Sequence, residues 1–142
     1  MAKLARDVMT ESPAVCSAET TLDQVAKMMV ENDCGEIPIV DRTDRPIGVV
    51  TDRDIVCRIV AEGKNPMGYT ADTCMTMPVR TVFVDTPVEE VLELMEASQI
   101  RRVPVVDRDG CCTGIISQAD LVAVTAPRQT AELLSQISRE RM

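Results

Sequence analysis

One internal repeat limits what this chain can become. Laying Met75-Thr76 on Met9-Thr10 gives an offset of 66 that holds without a gap from Met9–Val56 to Met75–Val122, 48 positions in all. Twelve positions are identical: Met9/Met75, Thr10/Thr76, Thr20/Thr86, Val25/Val91, Met29/Met95, Pro38/Pro104, Val40/Val106, Asp41/Asp107, Arg42/Arg108, Gly48/Gly114, Asp54/Asp120 and Val56/Val122. Random pairing would give about three. Apolar pattern and turn residues match as well, so the chain is a duplication of one structural unit.

Each copy reads as β-α-β-β-α, which makes the chain mixed α/β (α+β). A short apolar stretch, residues 14–17 or 80–84, predicts a strand. A helix follows with apolar residues at Leu22, Val25, Ala26 and Met29, or at Val88, Val91, Leu92 and Met95, a single buried stripe. Thr86-Pro87-Val88-Glu89 reads as a capping box, with Thr86 as N-cap and Pro87 as first helical residue. Gly35 is placed to stop the first helix. The runs at 37–40 and 103–106, then 47–50 and 113–116, predict two strands joined by turns, and a second helix starts near Thr51 or Ser117. A unit of this size is marginal alone, so the halves are expected to pack on each other. The predicted division is repeat 1 over 1–62 (core 8–62), a connector over 63–73, repeat 2 over 74–126, and a terminal helix over 127–142 with a stripe of Leu133, Leu134 and Ile137.

Composition narrows the chemistry. The 142 residues hold one Tyr, one Phe and no Trp, so Val, Ile, Leu and nine Met must build the core. The net charge of −8 and the missing aromatics argue against nucleic-acid binding. The absence of His removes the commonest general base and the commonest metal ligand. The six cysteines form no C-x-x-C pair, and no signal peptide or membrane-length apolar run is seen, so a cytoplasmic protein with reduced thiols is expected. Cys111-Cys112 reads as ordinary loop or strand-edge residues. Asp107-Arg-Asp109-Gly110 starts like a calcium loop, but Cys111 and Cys112 fill the positions that need a ligand and a glycine, so a hairpin turn explains it better. No Walker, G-x-S-x-G or Cys/His signature is present, and no enzyme is expected.

The most informative motif is Gly-x-x-(Thr/Ser)-x-x-Asp, which occurs as GVVTDRD (48–54) and GIISQAD (114–120). Two readings stay open. One is a plain helix start, with a hydroxyl N-cap and an acidic residue three positions later. The other is a ribose-phosphate cradle, because a helix start offers backbone donors and a carboxylate accepts from both hydroxyls of a ribose. Arg101-Arg102, aligned with Gly35-Glu36, would be charge-assisted partners for a phosphate beside Ser117. Glu36 would repel one.

The duplicated Met-Thr opening, the (Ile/Val)-Pro-(Ile/Val)-Val-Asp strand and the Gly-x-x-(Thr/Ser)-x-x-Asp junction resemble the cystathionine-β-synthase (CBS) domain, here as a tandem pair, or Bateman module. TDRDIV followed by a Gly-containing connector is similar to the small stand-alone bacterial CBS-pair proteins of the hypoxic-response type. The resemblance covers about residues 5–125. It implies two β-α-β-β-α repeats packed with pseudo-twofold symmetry, two clefts between them, and a regulatory, non-enzymatic role in energy or stress sensing. It implies an adenosine-containing ligand such as AMP, ADP, ATP, NAD or S-adenosylmethionine, AMP foremost, with no required cofactor and no metal. It also implies a homodimer that signals to an unidentified protein partner, with no membrane or nucleic acid involved. Carried over residue by residue, Asp120 would hold the ribose diol, Ser117 ribose or phosphate, and Arg101 and Arg102 the phosphate. Thr81, Val82 and Val103 would line the adenine slot. The first-cleft counterparts are Asp54, Thr51, Val15, Cys16 and Ile37. A structural or protein-interaction module with no functional nucleotide is the alternative.

Overall fold

The computed structural model describes residues 3–124 and 134–137. The elements follow in the order α1 (Ala5–Val8), β1 (Thr10–Glu11), α2 (Leu22–Glu31), β2 (Glu36–Val40), β3 (Pro46–Thr51), α3 (Asp52–Ile55), β4 (Val82–Phe83), α4 (Val88–Ser98), β5 (Arg102–Val106), β6 (Cys112–Ser117) and α5 (Gln118–Val122). A π-helical segment, Val56–Val60, continues α3, and two 3-10 turns, Pro66–Gly68 and Ala71–Thr73, shape the connector. The 66-residue offset reappears in three dimensions: β2 and β5, and β3 and β6, begin and end at equivalent positions. So do backbone details. Asp33 (φ 48) matches Gln99 (φ 54), and Asp44 (φ 64) matches Gly110 (φ 86).

The chain forms two compact units whose membership does not follow the linear cut at the connector. The first-repeat unit is Ala14–Val79 with Gly110–Cys112; the second-repeat unit takes in the described residues of Met1–Pro13, Arg80–Asp109 and Thr113–Met142. Each unit therefore receives the Met-Thr opening that the sequence writes ahead of the other repeat. In the second-repeat unit the sheet order is β1-β6-β5-β4, with Thr10 opposite Ile115 and β4 parallel to β5. The first-repeat unit reproduces that order more sparsely. Thr76 bridges Val49 of β3, β3 pairs antiparallel with β2, and Cys16 bridges Ile39 of β2 in parallel. The stretch predicted as a strand over 14–17 is thus a single bridge.

The duplicated glycines explain the exchange of openings. A Cβ on Gly48 would lie 2.9 Å from Met75 Sδ and 3.0 Å from the Thr76 carbonyl; one on Gly114 would meet Met9 Sδ and lie 3.1 Å from the Thr10 carbonyl. Met, Thr and Gly repeat together because they are one contact. Each unit closes around its own core. In the second-repeat unit Val88, Val91, Leu92 and Met95 of α4 pack with Val103, Val105, Ile116 and Leu121. In the first-repeat unit Leu22, Val25 and Met29 of α2 pack with Ile37, Ile39, Val50, Ile55 and Ile59. Residues 134–137 of the predicted terminal helix are helical, with Ile137 buried in the second-repeat core and Leu134 exposed, while Leu133 and the other residues of 127–133 and 138–142 lie outside the described residues.

Two local predictions are corrected. Thr86 does not cap α4: Pro87 is the N-cap, without a side-chain bond, and Thr86 Oγ1 accepts the Phe83 N–H at 2.9 Å instead. The hydroxyl closes the strand-to-helix turn, and its counterpart Thr20 does the same for Ser17 N–H at 3.2 Å. Gly35 does not stop α2. Asn32 is the C-cap, its Nδ2 donating to the Met28 carbonyl at 2.8 Å, and Asp33 takes the left-handed conformation. A Cβ at Gly35 would sit 3.0 Å from Oδ2 of the exposed Asp52, a side chain free to swing aside.

Candidate functional site

The two Gly-x-x-(Thr/Ser)-x-x-Asp junctions fold alike. Each strand ends on a hydroxyl residue with extended backbone, and the helix begins at the next residue. In the second-repeat unit Ser117 Oγ accepts the Asp120 N–H at 3.3 Å, while Asp120 Oδ2 accepts the Ser117 N–H at 2.8 Å and its hydroxyl at 3.0 Å. In the first, Thr51 Oγ1 accepts the Asp54 N–H at 3.0 Å, and Asp54 Oδ2 accepts the Thr51 N–H at 2.9 Å. The helix-start reading of the motif therefore holds in both copies, as reciprocal capping boxes worth about 1 kcal/mol each. The first helical N–H of each is also used: Asp52 N–H donates to the Gly35 carbonyl at 2.9 Å, and Gln118 N–H to the Arg101 carbonyl at 2.8 Å. This is why Gly35 and Arg101 share a position whatever their side chains. The backbone there holds the following strand to the helix.

The carboxylates differ in what else they touch. Asp54 Oδ1 faces Arg58 Nε at 3.8 Å, and its Oδ2 also receives the Thr76 hydroxyl at 3.4 Å. Asp120 has no partner for Oδ1 among the described residues; the position equivalent to Arg58 is Val124. Arg101, whose carbonyl accepts the Gln118 N–H, is exposed, and Arg102 is half-buried at the start of β5. The other sequence-predicted residues divide by exposure. Thr81 is exposed and Val15 half-buried, whereas Val82, Val103, Cys16 and Ile37 lie in the cores. Sequence reasoning missed Arg58 and Thr76. The signal was present: the cation four residues past Asp54 has no counterpart past Asp120.

The thiols are set apart by burial. Desolvation pushes the Cys16 and Cys74 thiols above the ordinary value of 9.0, with Asp54 adding to the rise at Cys74 and Arg58 opposing it. A raised thiol pKa means the folded state holds its proton longer, so the associated stability is intact below about pH 9 and is lost as pH climbs through the folded values. Urea midpoints should therefore fall above about pH 9. In a labelling time course exposed Cys57 should react first, and Cys16 and Cys74 only on unfolding; early labelling of Cys74 would contradict the fold around it.

Among the described residues no group of three or more His, Cys, Asp or Glu stands close enough to hold a metal ion, and no helix is long and apolar enough to cross a membrane.

The family model described as the CBS domain matches residues 5–61 and 71–126. An uncharacterized protein of Methanopyrus kandleri is 40% identical over 84% of this chain, which spans 58% of that relative's length. Hypoxic response protein 1 of Mycobacterium tuberculosis is 36% identical over 82% of this chain and 81% of its own length. Among solved structures, Hypoxic Response Protein I with two coordinated zinc ions superposes with a TM-score of 0.80 at 34% identity, covering 87% of this chain and 100% of that one. The CBS domain pair of protein MJ0100, in complex with 5′-methylthioadenosine and S-adenosyl-L-methionine, gives 0.78 at 27% identity, covering 87% and 96%. CBSX2 in complex with AMP gives 0.73 at 26% identity, covering 84% and 93%.

Proposed function

The chain belongs to the CBS-domain family, with two copies of the domain, and from that premise we propose that it is a non-enzymatic regulatory module that binds an adenosine-containing ligand. The observation that carries the reading is the Asp120 carboxylate. One oxygen fixes the helix start, and the other has no partner among the described residues. A ribose diol supplies the two donors that such an oxygen accepts. Ser117 borders it, and Arg101 and Arg102 provide charge for a phosphate. Thr81 together with the backbone at Val82 and Val103 serves the adenine, since the valine side chains are spent in the core. The AMP and S-adenosylmethionine complexes of structural neighbours support the ligand class. AMP is the first candidate.

The ligand acts by population shift. It favours the conformation to which it binds better, and a protein partner or a homodimer interface in the cytoplasm reads that state. The test is thermal unfolding with AMP, ADP, ATP, NAD and S-adenosylmethionine. A specific ligand at a hundred times its dissociation constant adds about 2.7 kcal/mol. The capping boxes, complete without any ligand, favour a second reading as a purely structural or protein-interaction module. A flat response to the whole panel would establish that one instead.

A further inference from the structure

We infer that Arg58 is what makes the two repeats unequal as ligand sites: it holds Asp54 as part of the fold and leaves the ribose-binding role to Asp120. The inference rests on the reading of these two carboxylates as ribose acceptors. Asp54 is only 12% exposed, and both of its carboxylate oxygens face partners. Its Oδ2 accepts from Thr51 N–H and the Thr76 hydroxyl, and its Oδ1 faces Arg58 Nε at 3.8 Å. Arg58 is itself held, because its Nη1 donates to the Cys74 carbonyl at 3.1 Å. The carboxylate and the guanidinium together tie the start of α3 to the returning segment at 74–76. Sixty-six residues on, Val124 stands in place of Arg58, and among the described residues Asp120 bonds only within its own capping box.

Arg58 is 53% exposed, so water weakens the pair and a ligand displaces it at modest cost. The competition is nevertheless for the same oxygen that a diol needs. Arg58 is therefore a specificity-determining residue that lowers affinity at Asp54 without abolishing it.

The experiment reads the first repeat alone, in Asp120→Ala protein. Titration calorimetry with AMP and with adenosine compares that background with Asp120→Ala/Arg58→Met, which keeps the aliphatic stem, and Asp120→Ala/Arg58→Val, which installs the counterpart residue. Circular dichroism checks that each is folded. Both additions should tighten binding of both ligands about two- to fivefold. Unchanged affinity, or no binding in the Arg58→Met protein, overturns the inference. Weaker AMP binding with adenosine unaffected also overturns it, by assigning Arg58 to the phosphate. The function proposed for Asp120 is judged separately, from wild type against Asp120→Ala, so either can fail while the other stands.

Discussion

Leu121→Ala will destabilise the protein by about 2–5 kcal/mol and weaken ligand binding with it. Leu121 follows Asp120 directly, is fully buried, and is the one buried residue of the five-residue helix α5. A helix that short has no stability of its own in water. Its position comes from the Ser117–Asp120 capping box at one end and from Leu121 packed among Ile116, Val103 and α4. Removing three side-chain carbons leaves a cavity that rigid neighbours fill only in part, and it loosens the element that carries Asp120. Urea denaturation followed by circular dichroism measures the first effect, and calorimetry the second. Val122→Ala, one residue on and 42% exposed, should stay within about 0.5 kcal/mol of wild type. Equal costs for the two would refute the packing described for α5.

Gly114→Ala and Gly48→Ala will each cost about 1–3 kcal/mol by overpacking. The conformation of these glycines is ordinary; the constraint is space. The methyl group of the first would run into Met9, and that of the second would lie 2.9 Å from Met75 Sδ. A methionine side chain swings aside cheaply. The backbone carbonyls of Thr10 and Thr76, at 3.1 and 3.0 Å, do not. Met9→Ala added to Gly114→Ala should therefore recover only part of the loss. Full recovery in thermal unfolding would place the whole cost on the sulfur and weaken the case for close strand approach. Because Thr10–Glu11 pairs with β6 and Thr76 with β3, both substitutions should also loosen the opening segments before the cores.

Much of the fold was legible because duplication doubles every signal. The strand positions of β2, β3, β5 and β6 and the buried stripe of α4 follow from the repeated apolar pattern. What escaped was local and tertiary. The capping box read at Thr86 matches the sequence pattern, yet Pro87 is the N-cap, the helix starts at Val88, and the Thr86 hydroxyl is left for the turn. Gly35 sits where a helix stop belongs, but Asn32 and Asp33 do that work. No periodicity reports which unit a segment joins, so the exchange of the Met9 and Met75 openings became visible only through the strand register. At the site, capping was one of the two readings left open for the hydroxyl and carboxylate of the motifs, and both copies form the capping box. The difference between them was not, because it depends on Arg58 and Thr76, which reach Asp54 from outside the motif.

If Asp120 receives the ribose of an adenosine-containing ligand, the charge of its carboxylate matters for binding. Asn in its place keeps the shape and one acceptor oxygen but removes the charge. Parallel calorimetric titrations of AMP into wild-type and Asp120→Asn protein read that role. Wild type should give a saturable exothermic isotherm and Asp120→Asn an affinity at least about thirtyfold weaker, near the loss of about 2 kcal/mol expected of a charge-assisted hydrogen bond. Equal affinity in the two proteins would contradict that role.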